Sequence, residues 1–459
     1  MLLSKAHENN KTVSVSSIMV GTSAPEDYYS EKGELLVSRG ITITQNHIDT
    51  FQRRNIFEVF IRPTTEEEEI NHLLAKEFKA LENVDIDEHL APQKLPVRKQ
   101  KSIAQESLQK LLKSERAQEL DKQLGKTPDR PMGPALKNKS TQLTVQERTE
   151  DYKTSVESSY DHALGEVKDI LDSLASGGQS DGRRIKSIVQ RFERIFITDR
   201  NILLNISGIK HTGEDYIYHH SLNVCLLAIN IAASSGYNEN QVVEIGMGAL
   251  LHDIGMLLIP KEIRTKQGRL SEEEWFEIQK HPILGLHLLE KINKLPEAIP
   301  YVAYQIHERE NSKGYPKQRN GLLIHRFAKL AQVADIYEAM TSPRSYRKAY
   351  LPHEGVVRIL KMSKTGLISG EFVKAFLVYV SLYPVGSLVE LNDKRIAKVI
   401  HSNKDSLGKP VVSIITDTTG KLCAKSHILQ EDLSRNKGIY IVKVLPSDLF
   451  KDADIMMGF

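Results

Sequence analysis

Ile245-Gly-Met-Gly-Ala-Leu-Leu-His-Asp-Ile-Gly255 decides how this chain is read. Ile245, Met247, Leu250 and Leu251 make an apolar helical run that ends on an imidazole and a carboxylate, His252 and Asp253. Neighbouring residues on a helix diverge by about 100°, so such a pair reaches one ion only from a helix end or through a bridging carboxylate. Two further segments place a ligand-type side chain on an apolar stripe. After His220, the residues Val224, Leu227, Ala228 and Ile231 recur at helical spacing, which turns His220 inward. Phe327, Ala331 and Asp335 follow one another every fourth residue and put an aspartate on a buried face. An unpaired carboxylate there costs several kcal/mol, so a cation or a donor is expected beside it. His281 and His307 complete the candidates. A single buried histidine is more often a hydrogen-bonded core residue than a ligand, and Asp335 alone reads also as a helix residue paired with an arginine. Their coincidence in one helical region is what argues for a shared ion. Imidazole with carboxylate favours iron, manganese, zinc or related ions over magnesium and calcium, and two ions on one bridge can clamp a phosphodiester.

Outward from this core, helical patterns follow one another from 147 to 383, broken at Gly177-Gly178, Gly213, Gly236, Gly268 and Gly314. Before them, residues 1–63 read as a small accessory domain. Glu34 to Ser38 and Phe57 to Ile61 suit strands, and a helix is expected from Thr44 through Arg53. Residues 64–146 read as a charged linker with helical segments. Glu66 to Glu82 has a helical pattern that opens on consecutive glutamates, as a helix N-terminus favours. The tail, 384–459, changes period again: Ser387 to Leu391, Ile396 to Ile400, Val411 to Thr416 and Ile439 to Val444 suit four strands. The predicted architecture is mainly α: an all-α bundle between a small N-terminal α/β domain and a small C-terminal β domain.

The chain has 459 residues, of which 40% are hydrophobic and 26% charged, enough to bury several cores and too balanced for a disordered or collagen-like chain. Net charge is +3, and the positive excess lies between Pro92 and Lys139, where 12 Lys and Arg face 5 Asp and Glu. Outside that segment no basic surface for polymeric nucleic acid is indicated. The apolar stretches fall short of a membrane span, and Met1 to Lys11 lacks the apolar core of a secretory leader, which predicts a cytoplasmic protein. Cys225 and Cys423 cannot build a cysteine-ligated zinc site, so a metal would be held by His, Asp and Glu.

The order His252-Asp-Ile-Gly255, Ile259-Pro260, Lys266-Gln-Gly-Arg-Leu270, His281-Pro-Ile-Leu-Gly285, His307-Glu308, Gly314-Tyr-Pro316, Val333-Ala-Asp335 and Thr341-Ser-Pro-Arg-Ser-Tyr-Arg347 resembles the HD-GYP family of cyclic diguanylate phosphodiesterases. The match covers about Glu147 to Pro384, and Asp215-Tyr216 ahead of His220 suits the family's entry into its first ligand. The resemblance implies an all-α bundle around divalent metal ions, iron or manganese. One ion would be held by His220, His252, Asp253 and Asp335, and a second by Asp253 as bridge with His281 and His307. His252 and Asp253 would be the catalytic pair. Arg344 and Arg347, with Lys266 and Tyr315, would bind the substrate phosphates and nucleotide. The implied partners are cyclic di-GMP, a second copy of the chain, or a diguanylate cyclase or other signalling protein.

This sequence departs from the family at four places. Ile306 stands where members carry a first histidine before the glutamate, and Met256 where a lysine follows the His-Asp-x-Gly motif. Asn311-Ser312 replaces Asp-Gly, and Tyr216 occupies the position of a glutamate that supports a third ion. The first ligand set is therefore complete and the second weakened, and a trinuclear centre is not expected. The implied reaction is attack of metal-activated water on a phosphate with in-line expulsion of a ribose oxygen. Losing an imidazole and an ammonium reduces stabilisation of the pentacovalent phosphate, so slow turnover is expected. The alternative is a catalytically weakened module that binds the dinucleotide or a protein partner. Gly314-Tyr315-Pro316 is first of all a rigid turn, with glycine permitting positive φ and proline fixing the exit.

Overall fold

The computed structural model describes residues 11–61, 102–207, 216–343 and 349–446, except 23, 25–27, 31–34, 38–40, 55, 142, 144–146, 404–405, 424–428 and 437. The helix expected over Glu66 to Glu82, the Asp215 entry and both arginines, Arg344 and Arg347, lie outside the described residues. The chain divides into two units, Met1–Leu73 and Leu74–Phe459.

In the first unit, β1 (Lys11–Ser14), β2 (Tyr28–Tyr29), β3 (Leu35–Val37) and β4 (Glu58–Ile61) form an antiparallel sheet ordered β1-β4-β2-β3. Helix α1 (Gln45–Arg53) starts at Thr44, whose side chain and backbone share a capping box with His47. Phe51 of α1 joins Val15, Tyr28, Val37 and Val59 in the core. The two expected strands and the helix are present. The two that the sequence did not announce, β1 and β2, are short and carry little alternation.

The second unit is led by α2 (Ile103–Leu111) and α3 (Glu115–Gln123). They lie in the basic segment read as linker, yet their apolar sides are seated on the helical body. Ala104, Leu108, Ala117 and Leu120 share one buried cluster with Phe276, Ile283, Leu286, Tyr301 and Tyr304. The charge of this stretch is its solvent face. The bundle continues with α4 (Glu150–Ala175), α5 (Gly182–Thr198), α6 (Tyr216–Ser234), α7 (Glu239–Leu251), α8 (Glu272–Ile278), α9 (His281–Leu289), α10 (Ile299–Gln305), α11 (Arg326–Thr341), α12 (Pro352–Lys364) and α13 (Gly370–Val380). Two shorter helices, Ile202–Ser207 and Lys261–Arg264, and a two-residue parallel pairing of Ser180–Asp181 with Ile292–Asn293 fill the joints.

Helix α6 is the axis of the bundle. It is buried nearly all the way round, and α7 and α11 pack on it most extensively. Such all-round burial explains why its composition is apolar on every face rather than striped. The stretch Glu239–Leu258 is long and apolar enough to cross a membrane by length and composition, and 72% of it is buried inside the bundle. Helix starts follow local chemistry. Asn238 and Gln241 make a capping box for α7, Ser271 and Glu274 make one for α8, and Thr149 accepts from the Tyr152 amide at the start of α4.

The tail forms an antiparallel five-stranded sheet, β5 (Leu388–Leu391), β6 (Ile396–His401), β7 (Val411–Ile414), β8 (Gln430–Asp432) and β9 (Ile441–Leu445), ordered β8-β7-β6-β5-β9. Val389, Leu391, Ala397, Val399, Val412, Ile414, Leu433 and Ile441 form its core. Four strands match the alternation read from sequence. The fifth, Gln430–Asp432, is polar and has no pattern of its own. The protein is thus mainly α, with a small α/β unit ahead of the bundle and a β sheet behind it.

Candidate metal centre

Four imidazoles and two carboxylates from five segments of the bundle converge on one point. His220 comes from α6 and Asp335 from α11. His252 caps the C-terminus of α7, and Asp253 opens the short 3-10 turn that follows. His281 is the first residue of α9, and His307 follows α10. The diverging His-Asp pair expected at a helix end is realised here, because the helix stops between the two residues.

Asp253 is the hub. Its Oδ1 lies 3.4 Å from His252 Nε2, 3.2 Å from His281 Nε2 and 3.3 Å from His307 Nε2, while its Oδ2 lies 3.7 Å from His220 Nε2. Asp335 Oδ1 stands 3.2 Å from His220 Nε2 and 3.8 Å from His252 Nε2, and its Oδ2 is 3.6 Å from His307 Nδ1. Two overlapping triads result, His220-His252-Asp253 and Asp253-His281-His307, each with its ligand atoms within 4.8 Å of one another.

Glycine makes this convergence possible. A Cβ at Gly255 would stand 2.0 Å from the His281 carbonyl oxygen, so only glycine lets the turn after Asp253 press against the start of α9. A Cβ at Gly248 would meet Val302 at 2.7 Å, which sets α7 against α10. At Gly314 the reason is again space and not a positive φ, which that residue does not adopt: a Cβ would lie 2.4 Å from the backbone of Glu308 and Arg309. The loop folds back onto the His307 turn accordingly. The Tyr315 amide donates to the His307 carbonyl at 3.1 Å, and the buried Glu308 carboxylate accepts from the amides of Lys317 and Arg319, each at 2.8 Å.

The tautomers follow from the outer partners. His252 Nδ1 donates to the Ala249 carbonyl and His281 Nδ1 to the Ile278 carbonyl, both at 2.7 Å, which leaves a lone pair on each Nε2 facing the hub. Both Nε2 atoms are buried and have no hydrogen-bond partner. A buried acceptor in that state costs about 1–3 kcal/mol, and a divalent cation between the triads would satisfy both. Without an ion the rings themselves offset the carboxylate charge: burial works to lower His252, but Asp253 and Asp335 raise it overall above its ordinary range. Burial works to raise the Asp253 carboxyl, but the imidazoles of His252, His281 and His307 hold it well below the usual carboxylate range. Asp335 is likewise brought down to about 2 against its burial, by His220 and the other imidazoles. Burial lowers His307 to about 4, so that ring is neutral at physiological pH and fit to ligate.

The six side chains expected as ligands are therefore brought together. Tyr315 is with them: its ring stacks on His307 at 4.9 Å and meets Trp275 edge-on at 5.6 Å. Lys266 donates to both carboxylate oxygens of Glu274, at 2.8 and 2.6 Å, and braces the loop ahead of α8. Ile306, where an additional imidazole was expected, is fully buried. Met256 and Tyr216 both join an apolar cluster with Ile217, Ile259, Ile278 and Trp275, so two charged positions of the resemblance have become one apolar wall.

Sequence reasoning missed Glu338. This acid is 2% exposed and pairs with His220 Nδ1. The signal was available, since Glu338 follows Asp335 by three residues on the same helical face. Gln332, which donates to the carbonyl of Ile306 at 2.9 Å and to that of Glu308, was also missed.

Comparison with known proteins agrees with this centre. Residues 209–370 match the model of the HD domain, which spans every candidate ligand, and residues 388–452 match a KOW domain associated with HD domains. A cyclic di-GMP phosphodiesterase of Pseudomonas aeruginosa is 30% identical over 273 residues, 60% of this chain and 65% of that protein. The cyclic di-GMP phosphodiesterase PdeB of Borreliella burgdorferi is 27% identical over 237 residues, 52% of this chain and 62% of that protein. The matched part is thus less than two thirds of the length of either relative. A solved HD-GYP-type protein from Bdellovibrio bacteriovorus aligns over 80% of this chain and 98% of its own, at 16% identity and a TM-score of 0.33, a likeness too weak to bear on the site. An HD domain thus surrounds the candidate ligands, and over 60% and 52% of its length the chain is similar to these two cyclic di-GMP phosphodiesterases.

Proposed function

We propose that the protein is a metal-dependent phosphodiesterase that opens cyclic di-GMP to pGpG, GMP or both, as part of bacterial second-messenger signalling in the cytoplasm. The observation that carries this reading is the pair of buried, unpartnered Nε2 atoms of His252 and His281 facing the one carboxylate of Asp253. His220, His252, Asp253 and Asp335 would hold one ion, and Asp253, His281 and His307 the other, with iron or manganese best suited to this nitrogen and oxygen donor set. When bound, such ions supply Lewis acidity and lower the pKa of water.

The chain's own residues supply position and exclusion. Asp253 keeps the two halves of the centre in register, through contacts to four imidazoles. Tyr315, stacked on His307, offers an aromatic flank to the nucleotide beside the reacting phosphate. Arg344 and Arg347 would take the non-bridging phosphate oxygens as bidentate donors, with Lys266 a weaker contributor. A second copy of the chain, or a diguanylate cyclase or other signalling protein, would be its macromolecular partner.

A second reading is favoured by Ile306 and Met256: a nucleotide-binding module whose turnover is vestigial. Both side chains are buried, Met256 within an apolar cluster, and neither supplies a ligand or a charge to the centre. Protein loaded with manganese or iron and assayed for products from cyclic di-GMP separates the two. The phosphodiesterase reading expects pGpG or GMP to accumulate. Binding without product selects the sensor, and neither binding nor product removes the substrate assignment.

A further inference from the structure

We propose that Glu338 is a positioning residue of the metal centre, fixing His220 through a side-chain network that reaches out to α4. The inference rests on the metal-binding reading above and goes beyond it.

His252 and His281 are oriented through Nδ1 by backbone carbonyls, whereas His220 is oriented by a carboxylate. That carboxylate takes two donors from α6 and one from the residue that follows its own helix, α11. Glu338 Oε2 accepts from His220 Nδ1, and Oε1 accepts from Asn223 Nδ2 at 3.4 Å and from the Ser342 hydroxyl. Asn223 lies three residues beyond His220 on α6, and its Oδ1 accepts from the Tyr160 hydroxyl of α4 at 2.9 Å. Tyr160, His220, Asn223, Glu338 and Ser342 are all buried.

A carboxylate is the one side chain that fits this place, because both of its oxygens only accept. With Nδ1–H donating to Glu338, the His220 lone pair sits on Nε2, aimed at Asp335 and Asp253. A glutamine has one accepting oxygen for two groups of donors. If its oxygen serves Asn223 and Ser342, its NH2 faces His220 Nδ1 and drives the proton to Nε2, where it closes the ligand position. If it turns the other way, its NH2 opposes the Asn223 amide and the Ser342 hydroxyl. Either way His220 loses its set orientation.

The test is Mn2+ binding to the full chain, read as free Mn2+ by electron paramagnetic resonance, for wild type, Glu338→Gln, Glu338→Asp and His220→Ala, and for Glu338→Gln combined with His220→Ala. Glu338→Gln is expected to weaken one class of bound ion about 10- to 100-fold, as loss of an outer partner of a metal-bound imidazole does. Glu338→Asp keeps the charge and is expected to fall between Gln and wild type. In the His220→Ala background Glu338→Gln adds nothing, because its action passes through that imidazole. Should Glu338→Gln fail to fold, Glu338→Asp decides alone. Wild-type affinity in either variant overturns the proposal, and so does an equal further loss in the His220→Ala background. A wild type that binds no Mn2+ removes the metal reading together with this one, whereas a wild type that binds and a Glu338→Gln that matches it remove the positioning role only.

Discussion

The two halves of the centre share Asp253 and are otherwise built from different materials. The His220 half is closed by charge: the Asp335 carboxylate stands beside the ring's Nε2, and the Glu338 carboxylate holds its Nδ1. The His281–His307 half is closed by packing. Its rings are oriented by the Ile278 carbonyl and by the stacked Tyr315, and Ile306 buries an aliphatic chain where the resemblance expects another imidazole. The difference teaches that similar imidazoles can be preorganised by electrostatics or by sterics. The first arrangement tolerates no loss of acceptor, and the second tolerates no gain of volume.

Removing the shared element should have the largest effect. Asp253→Asn takes the hub from both halves at once, and bound metal and turnover are each expected to fall by more than about 100-fold, beyond the cost of losing an outer partner. A variant that loses one ion and keeps the other would show that the halves are independent and that Asp253 is no bridge. Next comes Gly255→Ala, which forces a Cβ to within 2.0 Å of the His281 carbonyl. It should destabilise the fold by about 3 kcal/mol or more in urea unfolding, and any folded fraction should lose the His281 half before the His220 half. An unfolding midpoint equal to wild type would contradict the sterically closed half.

Ile306→His sharpens the comparison in the other direction. If the second half is weak because it lacks an imidazole, this variant should bind its second Mn2+ about 10- to 100-fold more tightly and speed hydrolysis of cyclic di-GMP, at some cost in stability. Unchanged affinity would mean that the burial of position 306, and not the missing ligand, limits this half.

A smaller effect tests the electrostatic half by contrast with another buried acid. Glu338 receives three donors, whereas Glu193 on α5 is 3% exposed and leaves its Oε1 without a partner. Burial, with the nearby charge of Glu239, pushes the Glu193 carboxyl up from its ordinary 4.5 to about 7. Between those values the folded state keeps a proton that the unfolded chain has released, so stability falls as pH rises through this window and stays lower above it. Glu193→Gln is therefore expected to be more stable than wild type by about 1–2 kcal/mol at pH 8 and equal to it below pH 4.5, as read from unfolding at the two values. No difference at pH 8 would mean that the acid is solvated.

Much of this centre was legible because its ligands interrupt patterns. His220 and Asp335 fall at helical spacing from apolar residues and His252-Asp253 ends an apolar run, which marked them for burial, although the helix of His220 proves apolar on every face. The strands of the tail were legible for the same reason, through alternation at Leu388–Leu391 and Ile396–His401. What periodicity does not carry is the partner across space. Glu338 reads as an ordinary helix acid until Ser342 and the two α6 side chains meet it. Gly255 reads as a turn glycine until α9 is found against it. The helices α2 and α3 were taken for linker because their charge outweighs four small or apolar residues that tertiary packing hides. Met256 and Tyr216 stood out as departures one at a time, and only the fold shows them in one apolar wall.

The most direct test of the account is the metal content of the full chain, purified without oxygen and measured by elemental analysis beside its Asp253→Asn variant. The account predicts iron or manganese in the wild type and almost none in the variant. A wild type free of divalent metal, even after equilibration with millimolar Mn2+, would contradict it, and the six converging side chains would then be a hydrogen-bonded core and nothing more.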